Sequence, residues 1–173
     1  MSKKGWQKES EEWQEKLFDE NGNLRSVINC IFKRTSNGDK ILMFKRCGEE
    51  WEHGYEPIKG AIHKQEREKE AAKRELKEES GLSIENNDVK MIGSLEGYLH
   101  GTRPHPVKKG KLNVRARVFV FEYTSLGDIR IGEEEHVGYR WMDIETAIKK
   151  NFLRESGQEM IEPAYNLFSK DKT

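Results

Sequence analysis

A layered α/β domain is the fold class this sequence predicts, and three observations lead to it. Two β-rich runs, at residues 27–33 and 40–46, come early in the chain. A helix-forming run without Gly or Pro follows at 67–80. Strand-type runs at 89–99, 116–123 and 137–142 then give way to helical ones at 144–151 and 155–169. Strands with helices on both sides of them in the chain bury their apolar faces by stacking as layers. At 173 residues the chain can bury a real core, and no Pro/Gly/Ser-rich linker or internal repeat marks a second domain. The main domain is expected over residues 25–173, preceded by an N-terminal helical extension at 1–24.

Taken in order, residues 9–18 read as a short amphipathic helix with Trp13, Leu17 and Phe18 on its apolar side, packing on the domain. The runs at 27–33 and 40–46 are joined by Thr35-Ser36-Asn37-Gly38-Asp39, and Asn-Gly is a strong hairpin signal. Apolar residues occupy both parities between Val27 and Phe32, as in a strand covered on both faces. A loop carrying Trp51, His53 and Pro57 leads to the helix at 67–80, whose end is marked by Gly81 in the position that favours a left-handed cap. The last helix is expected to break near Pro163.

Composition narrows the class of function. Lys+Arg and Asp+Glu balance at 31 each, so no global charge selects nucleic acid or a membrane surface. Two cysteines, Cys30 in an apolar run and Cys47 in a loop, do not make a disulfide framework and suit a reducing compartment. The first twenty residues are too charged for a signal-peptide core, and no long apolar run exists, so the expectation is a cytoplasmic protein without a membrane partner.

The chemistry concentrates in residues 60–82. Gly60 is followed at fixed spacing by Glu66 and then by Arg74-Glu75-Leu76-Lys77-Glu78-Glu79-Ser80-Gly81-Leu82. On a helix advancing about 100° per residue, Glu75, Glu78 and Glu79 fall within an arc of roughly 100°. Ala72 and Leu76 sit on the neighbouring, packing arc, while Lys69, Lys73 and Lys77 lie on the far side facing solvent. Carboxylates so placed repel by a few tenths of a kcal/mol, roughly, per i,i+3 or i,i+4 pair. Clustered oxygen ligands suit a hard divalent cation, Mg²⁺ or Mn²⁺. Arg74, one turn before Glu78, can pair with a carboxylate and hold it. A Glu-rich helix alone can be a solvated face; the added Gly60, Glu66, Arg74, Gly81 and Leu82 at their offsets argue against that reading.

This segment resembles the signature box of the Nudix (MutT-like) hydrolases at every fixed position. The resemblance is specific over residues 60–82 and extends by element order over roughly 25–170. It implies an α/β/α sandwich around a mixed sheet. It also implies metal coordination by Glu75, Glu78 and Glu79, often with the backbone carbonyl of Gly60, and bracing of the loop–helix geometry by Glu66 and Arg74. Many members have glycine where this chain has Lys59. A lysine there is similar to the diadenosine polyphosphate hydrolase branch, although Pro57-Ile58-Lys59-Gly60 carries an inserted isoleucine. The stretch Glu135-His136-Val137-Gly138-Tyr139-Arg140-Trp141 also resembles that branch and implies Glu135 as a base or metal contact, ahead of Glu133 and Glu134. His136 reads as structural.

Several residues carry two readings. The segment 103–111, with Arg103, Lys108, Lys109 and Lys111, is either an exposed hairpin loop or an electropositive lip for a polyphosphate or an RNA 5′ end. Arg115 and Arg117 alternate on one strand face and are candidates for substrate phosphate. Tyr98, Tyr123 and Tyr139 are either core aromatics or platforms for a base, and Tyr139 with Lys59 completes the candidate substrate set. The functional expectation is a pyrophosphohydrolase dependent on Mg²⁺ or Mn²⁺, cleaving a nucleoside diphosphate linked to another moiety, with a dinucleoside polyphosphate first. Hydrolysis of an RNA 5′ end, a nucleoside triphosphate or an inositol pyrophosphate is the alternative within the class. A non-catalytic nucleotide- or RNA-binding module is the rival from another class, and the intact box argues against it. An isoprenoid diphosphate isomerase would need a catalytic cysteine and metal histidines that this chain does not place. The protein is expected as a monomer or homodimer.

Overall fold

The computed structural model describes residues 15–47, 54–104, 110–124, 128–132, 136–149 and 155–171. Its elements are β1 (Leu24–Lys33), β2 (Lys40–Arg46), β3 (Tyr55–Glu56), β4 (Ile58–Ala61), α1 (Glu68–Ser80), β5 (Val89–Pro104), β6 (Lys111–Tyr123), β7 (His136–Asp143), α2 (Ile144–Lys149) and α3 (Glu155–Lys170). The seven strands form one mixed sheet with the path β3-β2-β1-β6-β5, to which β4 adds beside β1 and β7 beside β2. β1 and β6 run parallel, and the other pairings are antiparallel.

Strand alternation sends successive side chains to opposite faces, and here both faces are covered. From β1, Val27 and Ile31 join Leu42, Phe44, Phe119 and Phe121 on the face where Ala71, Ala72 and Leu76 of α1 pack. Ile28, Cys30 and Phe32 join Val118, Val120 and Met142 on the other, against Ala147 of α2 and Ile161, Ala164 and Phe168 of α3. This two-sided burial accounts for the double parity of β1 and makes the domain an α/β/α sandwich. The β1–β2 turn closes through Gly38, whose N–H donates to the Thr35 carbonyl at 3.1 Å and whose φ of 106° only glycine adopts readily.

Three expectations are corrected. The loop expected before the box contains two short strands, because the backbone of 55–56 pairs with β2 and that of 58–61 with β1 on either side of Pro57. α3 runs through Pro163 instead of stopping there. Pro163 sits on the exposed side, while Met160, Ile161, Ala164 and Phe168 anchor the helix to the sheet before and after it. That packing offsets the roughly 3 kcal/mol an interior proline costs. Of the helix expected at 9–18, residues 9–14 lie outside the described set; the remainder is extended chain, with Lys16 bridging His63 and Phe18 bridging Leu24.

Candidate active site

The loop between β4 and α1 folds back on itself: the Glu66 N–H donates to the His63 carbonyl, and the His63 N–H donates to Glu66 Oε1. That turn presents the Glu66 carboxylate to α1, where Arg74 meets it with two parallel bonds, Nε to Oε2 at 2.7 Å and Nη2 to Oε1 at 2.9 Å. A planar guanidinium matches a carboxylate in this way and fixes orientation as well as charge. The same Arg74 donates to the Ala61 carbonyl at 3.0 Å, to Glu75 Oε1 at 2.6 Å and to Glu78 Oε2 at 3.3 Å. One side chain thus ties strand, loop and helix to two of the three box carboxylates. The Glu66 carboxyl lies below its ordinary range, chiefly through the Arg74 hydrogen bonds.

Gly60 permits the closest approach in the site. A Cβ at this position would overlap the Glu75 carboxylate, so any side chain here would push that carboxylate away. Glu75 is buried beneath β4, and burial raises its carboxyl to about 7 even though Arg74 opposes the shift. α1 ends at Gly81, whose φ of 72° is left-handed and whose N–H caps the Lys77 carbonyl at 2.9 Å. Lys69, Lys73 and Lys77 are exposed.

The rise in Glu75 predicts a pH effect on the metal-free protein. A carboxyl near 7 in the folded state and near 4.5 in the unfolded state binds more protons when folded between those values, so stability is lost as pH rises through that window. Glu75→Gln, melted in the presence of a chelator, is therefore expected to gain thermal stability over the parent at pH 8 and to lose most of that advantage at pH 4.5. An advantage independent of pH would assign the effect to something other than the Glu75 charge.

The third box carboxylate has a different partner. Glu79 Oε2 lies 2.8 Å from His136 Nδ1, and His136 Nε2 lies 3.0 Å from Glu56 Oε1. Ionised carboxylates only accept, so an imidazole bonded to two of them must donate from both nitrogens, which makes it the imidazolium. Burial disfavours that charge, but the two carboxylates outweigh it and raise His136 to about 9. For Glu56, burial works against ionisation, yet the His136 hydrogen bond and the nearby Lys59 and Arg46 charges hold the carboxyl below its ordinary range. Lys59 Nζ stands 3.2 Å from Glu56 Oε2. The segment before β7 wraps the end of α1, with the Arg130 N–H donating to the Ser80 carbonyl and the Gly132 N–H to that of Glu79.

The structure therefore brings Gly60, Glu66, Arg74, Glu75, Glu78 and Glu79 together, with Lys59 reached through Glu56 and His136. Tyr139 is nearby: the residue is 43% exposed, and its ring is tilted against that of Phe44 with centroids 6.4 Å apart, Phe44 also packing on His136. Arg115 and Arg117 are elsewhere. Arg117 pairs with Glu68 at 3.2 Å and Glu96 at 2.7 Å, and Arg115 approaches Glu96 at 3.7 Å and Asp19 at 4.0 Å. Glu68 opens α1, ten residues before Glu78, which on a helix is about 15 Å away. These arginines are held in a charge network at the other end of the helix. Glu133, Glu134 and Glu135, and residues 105–109 of the basic segment, lie outside the described residues. Glu56 was not foreseen: it precedes a proline in an apparent loop, and no local pattern marks it.

Among the described residues, no group of three or more His, Cys, Asp or Glu side chains is gathered into a ready metal cage. The donor set nonetheless fits a hard divalent cation: three carboxylates share one helix face, one of them buried with a raised pKa, and their excess negative charge is only partly neutralised by Arg74 and His136.

The α/β/α sandwich is shared with proteins of one family. A model of the NUDIX domain matches residues 23–162, and the chain belongs to the Nudix family. Solved structures share the fold. The C. elegans Ap4A hydrolase in a binary complex superposes with a TM-score of 0.64 at 20% identity, covering 84% of this chain and 97% of that one. A NUDIX hydrolase from Listeria monocytogenes gives 0.65 at 24% identity over 84% and 95%. The E. coli dihydroneopterin triphosphate pyrophosphohydrolase gives 0.62 at 21% identity over 82% and 95%. No curated protein matches the sequence. Among the described residues, no helix is long and apolar enough to cross a membrane.

Proposed function

We propose that the protein hydrolyses a nucleoside diphosphate linked to another group, with Mg²⁺ or Mn²⁺ as cofactor and a dinucleoside polyphosphate as preferred substrate. The observation that carries this reading is the convergence of Arg74 on Glu66, Glu75 and Glu78 beneath Gly60. Glu75, Glu78 and Glu79 would hold the cation, with the Gly60 carbonyl. When bound, it neutralises phosphate oxygens and lowers the pKa of attacking water. The protein's own residues do the rest. Arg74 fixes the carboxylates, and a carboxylate, Glu135 or one of the box, takes the proton from the water that attacks phosphorus. Lys59 and Tyr139 are the substrate contacts, for phosphate and base respectively. The ion pairs of Arg115 and Arg117 argue for a structural role instead. The domain boundary remains proposed at residue 25, with 1–24 as an extension.

The choice of substrate is supported by Lys59-Gly60, by the stretch from Glu135 to Trp141, and by the shared fold with an Ap4A hydrolase. It is tested by kcat/KM at fixed ionic strength over dinucleoside polyphosphates, capped RNA, nucleoside triphosphates, sugar nucleotides and inositol pyrophosphates. Dinucleoside polyphosphates are expected to lead by at least about tenfold, or roughly 1.4 kcal/mol of transition-state discrimination. A tenfold lead, roughly, for RNA or mononucleotides would overturn the substrate while leaving the hydrolase intact.

Cation binding should also be visible without turnover. A ligand that binds only the folded carboxylates stabilises by mass action, about 2.7 kcal/mol at a hundredfold excess over Kd. For a domain of this size that corresponds to roughly 5–10 °C in Tm. A melting temperature indifferent to millimolar Mn²⁺, with no binding by calorimetry, would count against the whole site.

A further inference from the structure

We infer that His136, itself clamped by Glu56, is a positioning residue for Glu79, holding one oxygen of that carboxylate so that the other is presented to a divalent cation. The inference rests on the reading of Glu79 as a metal ligand and adds to it two residues from strands β3 and β7. Glu79 lies in the last turn of α1, on a side chain with several rotatable bonds, and nothing in the helix alone fixes where its oxygens point. His136 supplies that constraint from β7, at 2.8 Å.

The imidazole can do so because it is held in turn. Its other nitrogen is bonded to Glu56 at 3.0 Å, and its side chain is 1% exposed and that of Glu56 3%. Phe44 lies against the ring, with centroids 5.3 Å apart. Rotation of the ring would break both carboxylate bonds at once. The placement is built by the sheet: Glu56 pairs across β3–β2 with Phe44, and His136 pairs across β2–β7 with Arg46, where the register shifts between Lys45 and Arg46. Lys59 and Arg46 compensate the buried Glu56 charge from outside, at 3.2 Å and 4.0 Å. An ionised carboxylate has two oxygens and about four lone-pair directions, so the bond from Nδ1 to Oε2 leaves it able to coordinate. Outer partners of this kind orient metal ligands, and their loss typically costs about 10–100-fold in metal affinity or activity.

A simple structural ion pair would also show these distances, and a double-mutant cycle separates the two. Mn²⁺ dissociation constants are measured on the full chain by electron paramagnetic resonance, without substrate, for the parent, Glu56→Gln, His136→Gln, Glu79→Gln and the His136→Gln/Glu79→Gln pair. Turnover is measured alongside. His136→Gln is expected to weaken Mn²⁺ by about tenfold, and Glu56→Gln by a smaller but measurable factor, each lowering kcat with KM little changed. His136→Gln should add nothing once Glu79 is already glutamine. Glu56→Gln keeps an acceptor for Nε2 and so provides a mild variant if His136→Gln folds poorly. Parent-like Mn²⁺ affinity in both single variants, or independent addition in the pair, would overturn the inference. If Glu79→Gln itself leaves Mn²⁺ affinity unchanged, the metal-site reading fails and takes the inference with it. If Glu79→Gln weakens Mn²⁺ while the other two do not, only the inference fails.

Discussion

Glu78→Gln and Glu79→Gln are each expected to lower kcat by at least about a hundredfold, or roughly 2.7 kcal/mol of transition-state stabilisation. In the proposed metal site each replaces a hard anionic ligand by a neutral amide of nearly the same shape, so the loss falls on the charge that stabilises the transition state. Little of the effect should come from unfolding. The Glu78 side chain is 57% exposed. Glu79 is largely covered, but the amide oxygen of glutamine can still accept from His136. The check is kcat under saturating Mg²⁺ together with circular dichroism and Tm. Near-parental rates in either variant would remove that residue from the metal site.

Arg74→Met is the second large effect, and here stability and turnover should fall together. Arg74 donates five hydrogen bonds, two to Glu66 and one each to Glu75, Glu78 and the Ala61 carbonyl. Methionine preserves much of the stem's packing but leaves the covered carboxylates of Glu66 and Glu75 without their cation. Breaking a buried pair costs about 3–5 kcal/mol; with the Arg74 side chain 22% exposed, water recovers part of that, and about 2–3 kcal/mol is the expected loss. Turnover should drop by on the order of a hundredfold, because misplacing catalytic groups by an ångström has that effect. Arg74→Lys restores charge without the planar fork and should recover stability better than rate. Urea denaturation and saturating kinetics on the two variants decide this. A methionine variant as stable as the parent would mean that the brace is not what holds the loop to the helix.

Where a feature depends on neighbours in the chain, it was legible in the amino-acid sequence. The helix-forming run without Gly or Pro up to Gly81, the Asn37-Gly38 turn and the double apolar parity of β1 each follow from local geometry, and together they define the sandwich. The grouping of Glu75, Glu78 and Glu79 on one face follows from helical periodicity alone. Partners across the sheet were not legible. Arg117 stands directly opposite Glu96 in the β5–β6 register, and this, with Glu68, places it in an ion-pair network. β3 and β4 exist only because β2 and β1 offer them backbone partners, and Pro163 is tolerated only because the sheet holds the helix around it. Glu56, His136 and Glu79 come from three segments that local pattern does not connect. Periodicity and turn chemistry act over a few residues, whereas the cation that faces a given carboxylate is decided by strand register between distant segments, and only the folded chain sets that register.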